Sequence, residues 1–122
     1  SVTLIDKARK SMDVLEKNVA SLGCASQCSL YQADVFWYLK ISKQSFDLVF
    51  ADPPYTLENI GTIPNAIYES GVIRDGVFVV MEHSRESLID LNEQKYDVIK
   101  KPFGQTTVLI LKAIVPPSPP RT

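Results

Sequence analysis

The apolar run Phe46-Asp47-Leu48-Val49-Phe50-Ala51 stops on Asp52-Pro53-Pro54, and this junction constrains the fold more than any other feature of the chain. Proline has no N–H to give to a strand ladder and a fixed φ, so two in succession end a strand outright. Polar Lys43-Gln44-Ser45 bounds the run on its other side, which makes it a short buried-strand candidate. Its carboxyl end must open into a loop that begins with a carboxylate and offers no backbone donor at Pro53 or Pro54.

The remaining punctuation repeats a strand-then-helix order. Val2 to Ile5 is an apolar run stopped by Asp6, after which Ala8, Met12, Leu15, Val19 and Leu22 recur on one helical face until Gly23. Ser29 to Gln32 predicts a second strand closing on Asp34, and Val35 to Leu39 a short aromatic helix. Ile63, Ile67 and Tyr68 predict a helix with Pro64 in its first turn and Gly71 at its end. Arg74-Asp75-Gly76 reads as a turn into Val77 to Met81, an unbroken apolar run of the kind covered on both faces, ended by Glu82. Further on, Ser84 to Leu91 is expected to be helical, with strands at Tyr96 to Ile99 and Thr106 to Leu111 about a Pro102-Phe103-Gly104 turn. This order implies an α/β fold with a mostly parallel sheet and helices on both faces, spanning residues 1–112, followed by a Pro-rich flexible tail over 113–122.

Composition excludes some functions. No apolar run reaches the ~18 residues of a membrane helix, and the first residues lack the pattern of a signal peptide. Cys24 and Cys28 have no histidine near them, and His83 is remote, so a zinc site lacks ligands and no metal is expected. A net charge of −1 gives no general support to nucleic-acid binding. Any RNA contact is expected to come from local clusters, with Lys100-Lys101 and Arg85 as candidates, or from sequence outside this chain. His83 and Arg85 read as a solvated loop, and the paired lysines as surface charge.

In parallel sheets ligands bind at the carboxyl ends of strands. Asp6, Asp34 and Asp52 each fall where a predicted strand ends, so they should line one edge, although a strand-terminal acid such as Asp34 serves equally as a helix cap. Asp52-Pro53-Pro54-Tyr55 points to a specific chemistry. The lone pair of an amine on a base or amide is delocalised, so its hydrogens must be held by acceptors before the nitrogen can attack. The Asp52 carboxylate and the Pro53 carbonyl can hold them, and Tyr55 can stack on the base for ~1 to 3 kcal/mol. On this reading Tyr55→Phe is mild and Tyr55→Ala severe.

The motif resembles the signature of methyltransferases that act on planar amino groups. From Val2 to about Lys112 the chain is similar to the RsmD-like family, which methylates the 2-amino group of a guanine in small-subunit ribosomal RNA. Leu4-Ile5-Asp6-Lys7 with Leu15-Glu16-Lys17-Asn18-Val19, Phe46 to Tyr55, Val79 to Glu82, and Lys101 to Thr106 carry the likeness. The resemblance implies a Rossmann-like class I methyltransferase sheet, S-adenosyl-L-methionine as cofactor, and ribosomal RNA or the small ribosomal subunit as partner. It implies that Asp6, with Lys7, binds the cofactor ribose, that Asp34 and Val35 lie at its adenine, that Asp52 also borders the cofactor, and that Asp52, Pro53, Pro54 and Tyr55 carry transfer. It also implies an intracellular, soluble protein, in the cytoplasm of a bacterium or in a eukaryotic plastid or mitochondrion.

One departure bears on the fold. The family's glycine-rich loop after its first strand has no counterpart here, so a truncated sheet lacking its first strand is expected. Val2 to Ile5 would then pair either with Phe46 to Phe50 or with one neighbour only. Two alternatives remain open at this level: an adenine or glutamine-amide methyltransferase, and an inactive binding or scaffold domain.

Overall fold

The computed structural model describes residues 1–117. They divide into two compact units, Ser1–Ile41 and Ser42 onward.

In the first unit β1 (Val2–Asp6) lies parallel to β2 (Cys28–Gln32), with Val2 opposite Cys28 and Asp6 opposite Gln32. The two form a two-stranded sheet, so β1 has one neighbour, the second of the arrangements expected. Parallel strands need a crossover, and α1 (Arg9–Leu22) supplies it. Its apolar face buries Met12 and Val19, while Leu22 has rotated out to solvent. Gly23 closes the helix, its N–H on Ala20 O and the next N–H, from Cys24, on Val19 O. A short 3-10 turn, Ala25–Gln27, leads into β2, and α2 (Val35–Ile41) follows it, burying Tyr38 and Leu39.

The second unit is built on β3 (Phe46–Ala51), α3 (Ile63–Ser70), β4 (Ile73–Ser84), β5 (Tyr96–Phe103) and β6 (Thr106–Ala113). The strand order is β3-β4-β6-β5, with β3 and β4 parallel and the other two pairings antiparallel, so this sheet is mixed and not mostly parallel. The reason is local. Phe103 pairs with Thr106, leaving only Gly104 and Gln105 to turn the chain, and a two-residue turn can join only antiparallel strands. Gly104, at φ 58°, takes the left-handed position that such a turn requires.

Side chains alternate across this sheet. Val77, Val79, Met81, Leu109, Leu111 and Tyr96 are buried on the face that packs α3, where the Tyr96 hydroxyl donates to Pro64 O at 2.7 Å. The other face carries Leu48, Phe50 and Phe78, all exposed. Val77 to Met81 is therefore covered on one face, not on both.

Three local expectations change. The predicted turn at Arg74-Asp75-Gly76 is instead a bulge within β4: while β3 advances from Phe46 to Leu48, β4 advances from Ile73 to Phe78, with Gly76 at φ 81°. Arg74 bonds across it to Ser45 and Asp47. The helix expected over Ser84 to Leu91 does not form. Pairing with β6 keeps the chain extended as far as Ser84 opposite Thr106, and the segment beyond is drawn against Gly61. There Asp90 N donates to Gly61 O at 2.9 Å, and a side chain at Gly61 would collide with Leu88 O. Lastly, the tail begins later than residue 113. Ala113 pairs with Tyr96, and the next two amides bond to Lys95 O and Asp75 Oδ1. Residues 118–122 of the expected tail lie outside the described residues. Among the described residues no helix is long and apolar enough to cross a membrane.

Candidate active site

Two groups of sequence-expected residues stand at strand ends, one in each unit. In the first unit β1 and β2 run in register to Asp6 and Gln32, so Asp6, Lys7, Asp34 and Val35 gather at the carboxyl end of adjacent parallel strands. Backbone geometry fixes both acids. Asp6 Oδ1 accepts from Ala8 N at 2.9 Å, and its main-chain carbonyl accepts from Ala33 N at 3.1 Å. Asp34 Oδ1 accepts from Phe36 N at 2.8 Å and Trp37 N at 3.2 Å, which makes Asp34 the N-cap of α2. The cap reading is thus realised, but it uses one carboxylate oxygen and leaves Oδ2. Asp6 borders a hollow of about 370 Å³ whose walls include Lys10, Ser11, Val14 and Leu15. A carboxylate with one oxygen anchored and one available suits a ligand bearing hydroxyls or an amine, so the donor set fits an adenosyl cofactor.

In the second unit Ala51 ends β3 opposite Met81, which puts Asp52 at the level of Glu82 on β4. Asp52 is exposed, and its carboxylate has no hydrogen bond among the described residues, unlike Asp6 and Asp34. The loop beyond closes through Leu57 N on Pro54 O at 2.9 Å. Tyr55 is 45% exposed, yet it is not free: its hydroxyl shares a 2.8 Å hydrogen bond with Thr106 Oγ1 on β6. A tyrosine so tied offers a ring face of fixed orientation. It also changes the expectation for Tyr55→Phe, which removes a bond as well as a hydroxyl.

The structure also sorts the residues around the motif. His83 is no solvated loop residue. It is 6% exposed within β4, on the buried face, with Nδ1 2.7 Å from Ser84 O. Arg85 is exposed, and it is anchored to the β5–β6 turn by its N–H on Gln105 O and its guanidinium on Gly104 O, both at 3.0 Å. Lys100 and Lys101 project to opposite faces of β5, as neighbours on a strand must. Thr106 and Glu82 were absent from the candidate site residues. Both lie in stretches that carry the family likeness, but only strand pairing brings them to the motif. Cys24 and Cys28 are free, with sulfurs 3.7 Å apart at the α1–β2 connection. A larger hollow, about 950 Å³, has Asn65, residues 89–94, Val98 and Lys100 as its walls and contains none of the motif.

Residues 1–112 match the family model described as conserved hypothetical protein 95, which is the RsmD-like family. The chain belongs to that family. Among curated relatives, it is 28% identical over 75 residues to "Uncharacterized methylase RP545" of Rickettsia prowazekii, covering 62% of this chain and 32% of the relative. It is 26% identical over 114 residues to "Putative rRNA methyltransferase YlbH" of Bacillus subtilis, covering 88% of this chain and 61% of that protein. The chain thus spans less than two thirds of the length of either relative. The solved structure of the "putative methylase HI0767" of Haemophilus influenzae superposes with a TM-score of 0.80 at 19% identity, covering 94% of this chain and 73% of that one. The fold of this family member is the α/β, Rossmann-like arrangement of class I methyltransferases.

Proposed function

We propose that this chain is the catalytic part of an S-adenosylmethionine-dependent methyltransferase whose substrate is the exocyclic 2-amino group of a guanine in small-subunit ribosomal RNA. One observation carries the reading: Asp52, at the carboxyl end of β3, presents a carboxylate committed to no internal bond, followed by two prolines and a tethered aromatic ring. Family membership and the rRNA methyltransferase named among the relatives support the RNA substrate.

S-adenosylmethionine, when bound, supplies an electrophilic methyl on a sulfonium sulfur. Asp6, with Lys7 beside it, would hold the ribose hydroxyls, and Asp34 the adenine amine, with Val35 against the ring. In the second unit, Asp52 accepts one hydrogen of the guanine amine and the Pro53 carbonyl the other. Pro53 and Pro54 place no N–H there to compete. With both hydrogens held, the amine nitrogen would have its lone pair free to bond to a methyl carbon, the methyl–sulfur bond of the donor breaking as the new bond forms, and the proton the nitrogen gives up would pass to the Asp52 carboxylate. Alignment does most of this work, since direct displacement needs orientation more than a strong base.

The experiment is methyl transfer from radiolabelled cofactor by the complete gene product, offered small ribosomal subunits, their naked RNA, DNA and peptide. Label on a guanine of the RNA is expected, falling about 100-fold or more in Asp52→Ala with cofactor binding retained. Near-normal turnover by that variant sinks the role of Asp52. Label confined to DNA or peptide sinks the substrate.

A further inference from the structure

The β5–β6 hairpin tip has no part in the transfer chemistry above, yet it is tied to it. Side chains directly opposed across an antiparallel pair share a face. In this sheet Ser84, Thr106 and Phe103 form one such row, and Glu82, Val108 and Lys101 form the next. Thr106 uses its side chain to hold the Tyr55 hydroxyl, so the Phe103 ring stands on the side of the hairpin to which Tyr55 is fastened. Phe103 is 64% exposed at the end of its strand. One exposed aromatic means little by itself. Here it adjoins two cations: Lys101, two residues earlier on the same face, and Arg85, pinned to the turn by two backbone oxygens. Arg85 commits one terminal nitrogen to Gly104 O, and its remaining N–H groups are available. Glu82, in the row of Lys101 but two strands away on β4, disfavours phosphate on that side and leaves the β5 side and the turn for phosphate contact.

We propose that this tip, with Phe103, Lys101 and Arg85, is a contact for single-stranded RNA beside the target base, and that Thr106 is the positioning residue that sets the ring of Tyr55. An aromatic platform flanked by cations is the combination that binds single strands without reading sequence. It also supplies a local RNA surface on a chain whose net charge is −1. The bond from Thr106 makes the two parts one device, since movement of the tip shifts Tyr55. The inference rests on the RNA reading above and extends it to residues outside the motif.

The test measures Kd for a fluorescent single-stranded ribo-oligonucleotide by anisotropy, with kcat and KM for methylation, in the complete gene product. Phe103→Ala raises Kd about fivefold to a hundredfold, and Phe103→Trp restores it. Arg85→Gln and Lys101→Gln each make the salt dependence of binding shallower by about 0.7 in the log–log slope. Thr106→Val lowers kcat/KM several-fold without moving the thermal midpoint, Thr106→Ser restores it, and Tyr55→Phe adds no further loss to Thr106→Val because both cut one bond. Phe103→Ala at the wild-type Kd, or Thr106→Val at the wild-type kcat/KM, in a protein that still methylates RNA, overturns the inference and leaves the function standing. A wild-type protein that methylates no RNA overturns both.

Discussion

Residues 1–41 bury a small set of apolar side chains, Met12, Val19, Tyr38 and Leu39, each still 3 to 9% exposed. From residue 42 on, Val79, Met81, Leu109, Leu111 and Tyr96 are at 0 or 1%. The polar chemistry divides in the same way. In the lightly built unit the two acids assigned to the cofactor, Asp6 and Asp34, also hold their own backbone. In the densely packed unit the strand and the tyrosine tether supply the order, and Asp52 has no such duty. Where packing is thin, the acids proposed to bind the cofactor also serve as structure. Where packing is dense, a carboxylate can be left for substrate alone.

The largest effect expected follows from packing. Leu111→Ala, at the centre of the four-stranded sheet, should cost ~2 to 5 kcal/mol, because a site enclosed on all sides collapses poorly around a cavity. Met12→Ala should fall at the lower end of that range, since its two-stranded sheet and single covering helix can close over the gap. Chemical denaturation of both variants, with hydrogen exchange followed in each segment, checks this. Equal losses would erase the contrast between the units.

Tyr96 tests the dense unit differently. Burial, with Tyr68 nearby, pushes the ionisation of its hydroxyl well above the usual value near 10. The folded state therefore keeps a proton that the unfolded chain releases at alkaline pH. The stability this contributes is fully present below about pH 10 and is lost as pH rises beyond it. Tyr96→Phe should remove that alkaline dependence. It should also cost ~1 to 3 kcal/mol at neutral pH, because Pro64 O loses its donor. Denaturant midpoints collected from pH 7 to 11 would show it, and an unchanged alkaline slope in the variant would refute it.

Legibility in the sequence followed the same division between local and non-local order. Signals that act over a few residues read correctly: Gly23 and Gly71 close their helices, and Pro53-Pro54 end β3. The candidate acids at strand ends were visible for the same reason. Pairing partners far along the chain were not. Nothing near Ser84 announces that Thr106 will hold it in a strand, so the sequence alone reads as a helix there and His83 as a loop residue. The run Val77 to Met81 looks the same whether one face or two are covered, since hydrophobicity cannot say where α3 will lie. Thr106 lies in a stretch that carries the family likeness, but nothing local marks it as part of the site, because its partner there is 51 residues away.

A smaller effect is expected at Asp34. Its carboxylate satisfies two N–H groups at the start of a seven-residue helix, and Asp34→Ala should cost ~0.5 to 2 kcal/mol, with faster exchange along Val35–Ile41. Asp34→Asn should retain most of the cap, since an amide oxygen accepts the same bonds. Cofactor affinity separates the two roles. If Asp34 also contacts adenine through Oδ2, the asparagine variant folds normally and binds the cofactor weakly. If it binds the cofactor as well as wild type does, Asp34 is a cap and nothing more.

The smallest stability effect is expected at Asp52, and its smallness is the informative part. A carboxylate that is exposed and makes no internal hydrogen bond contributes little to folding, so Asp52→Ala should change stability by no more than ~0.5 kcal/mol, as surface substitutions do. Relief of a lone exposed acid could even be slightly favourable, given Glu82 at the same level of the sheet. The same variant should lose transfer, so stability and turnover separate at this position while at Asp34 they fall together. Calorimetric melting of Asp52→Ala beside Asp34→Ala decides the point. A loss at Asp52 as large as the loss of the cap would show that this acid, too, is spent on structure, and the distinction between the two units would fail at the residue on which it most depends.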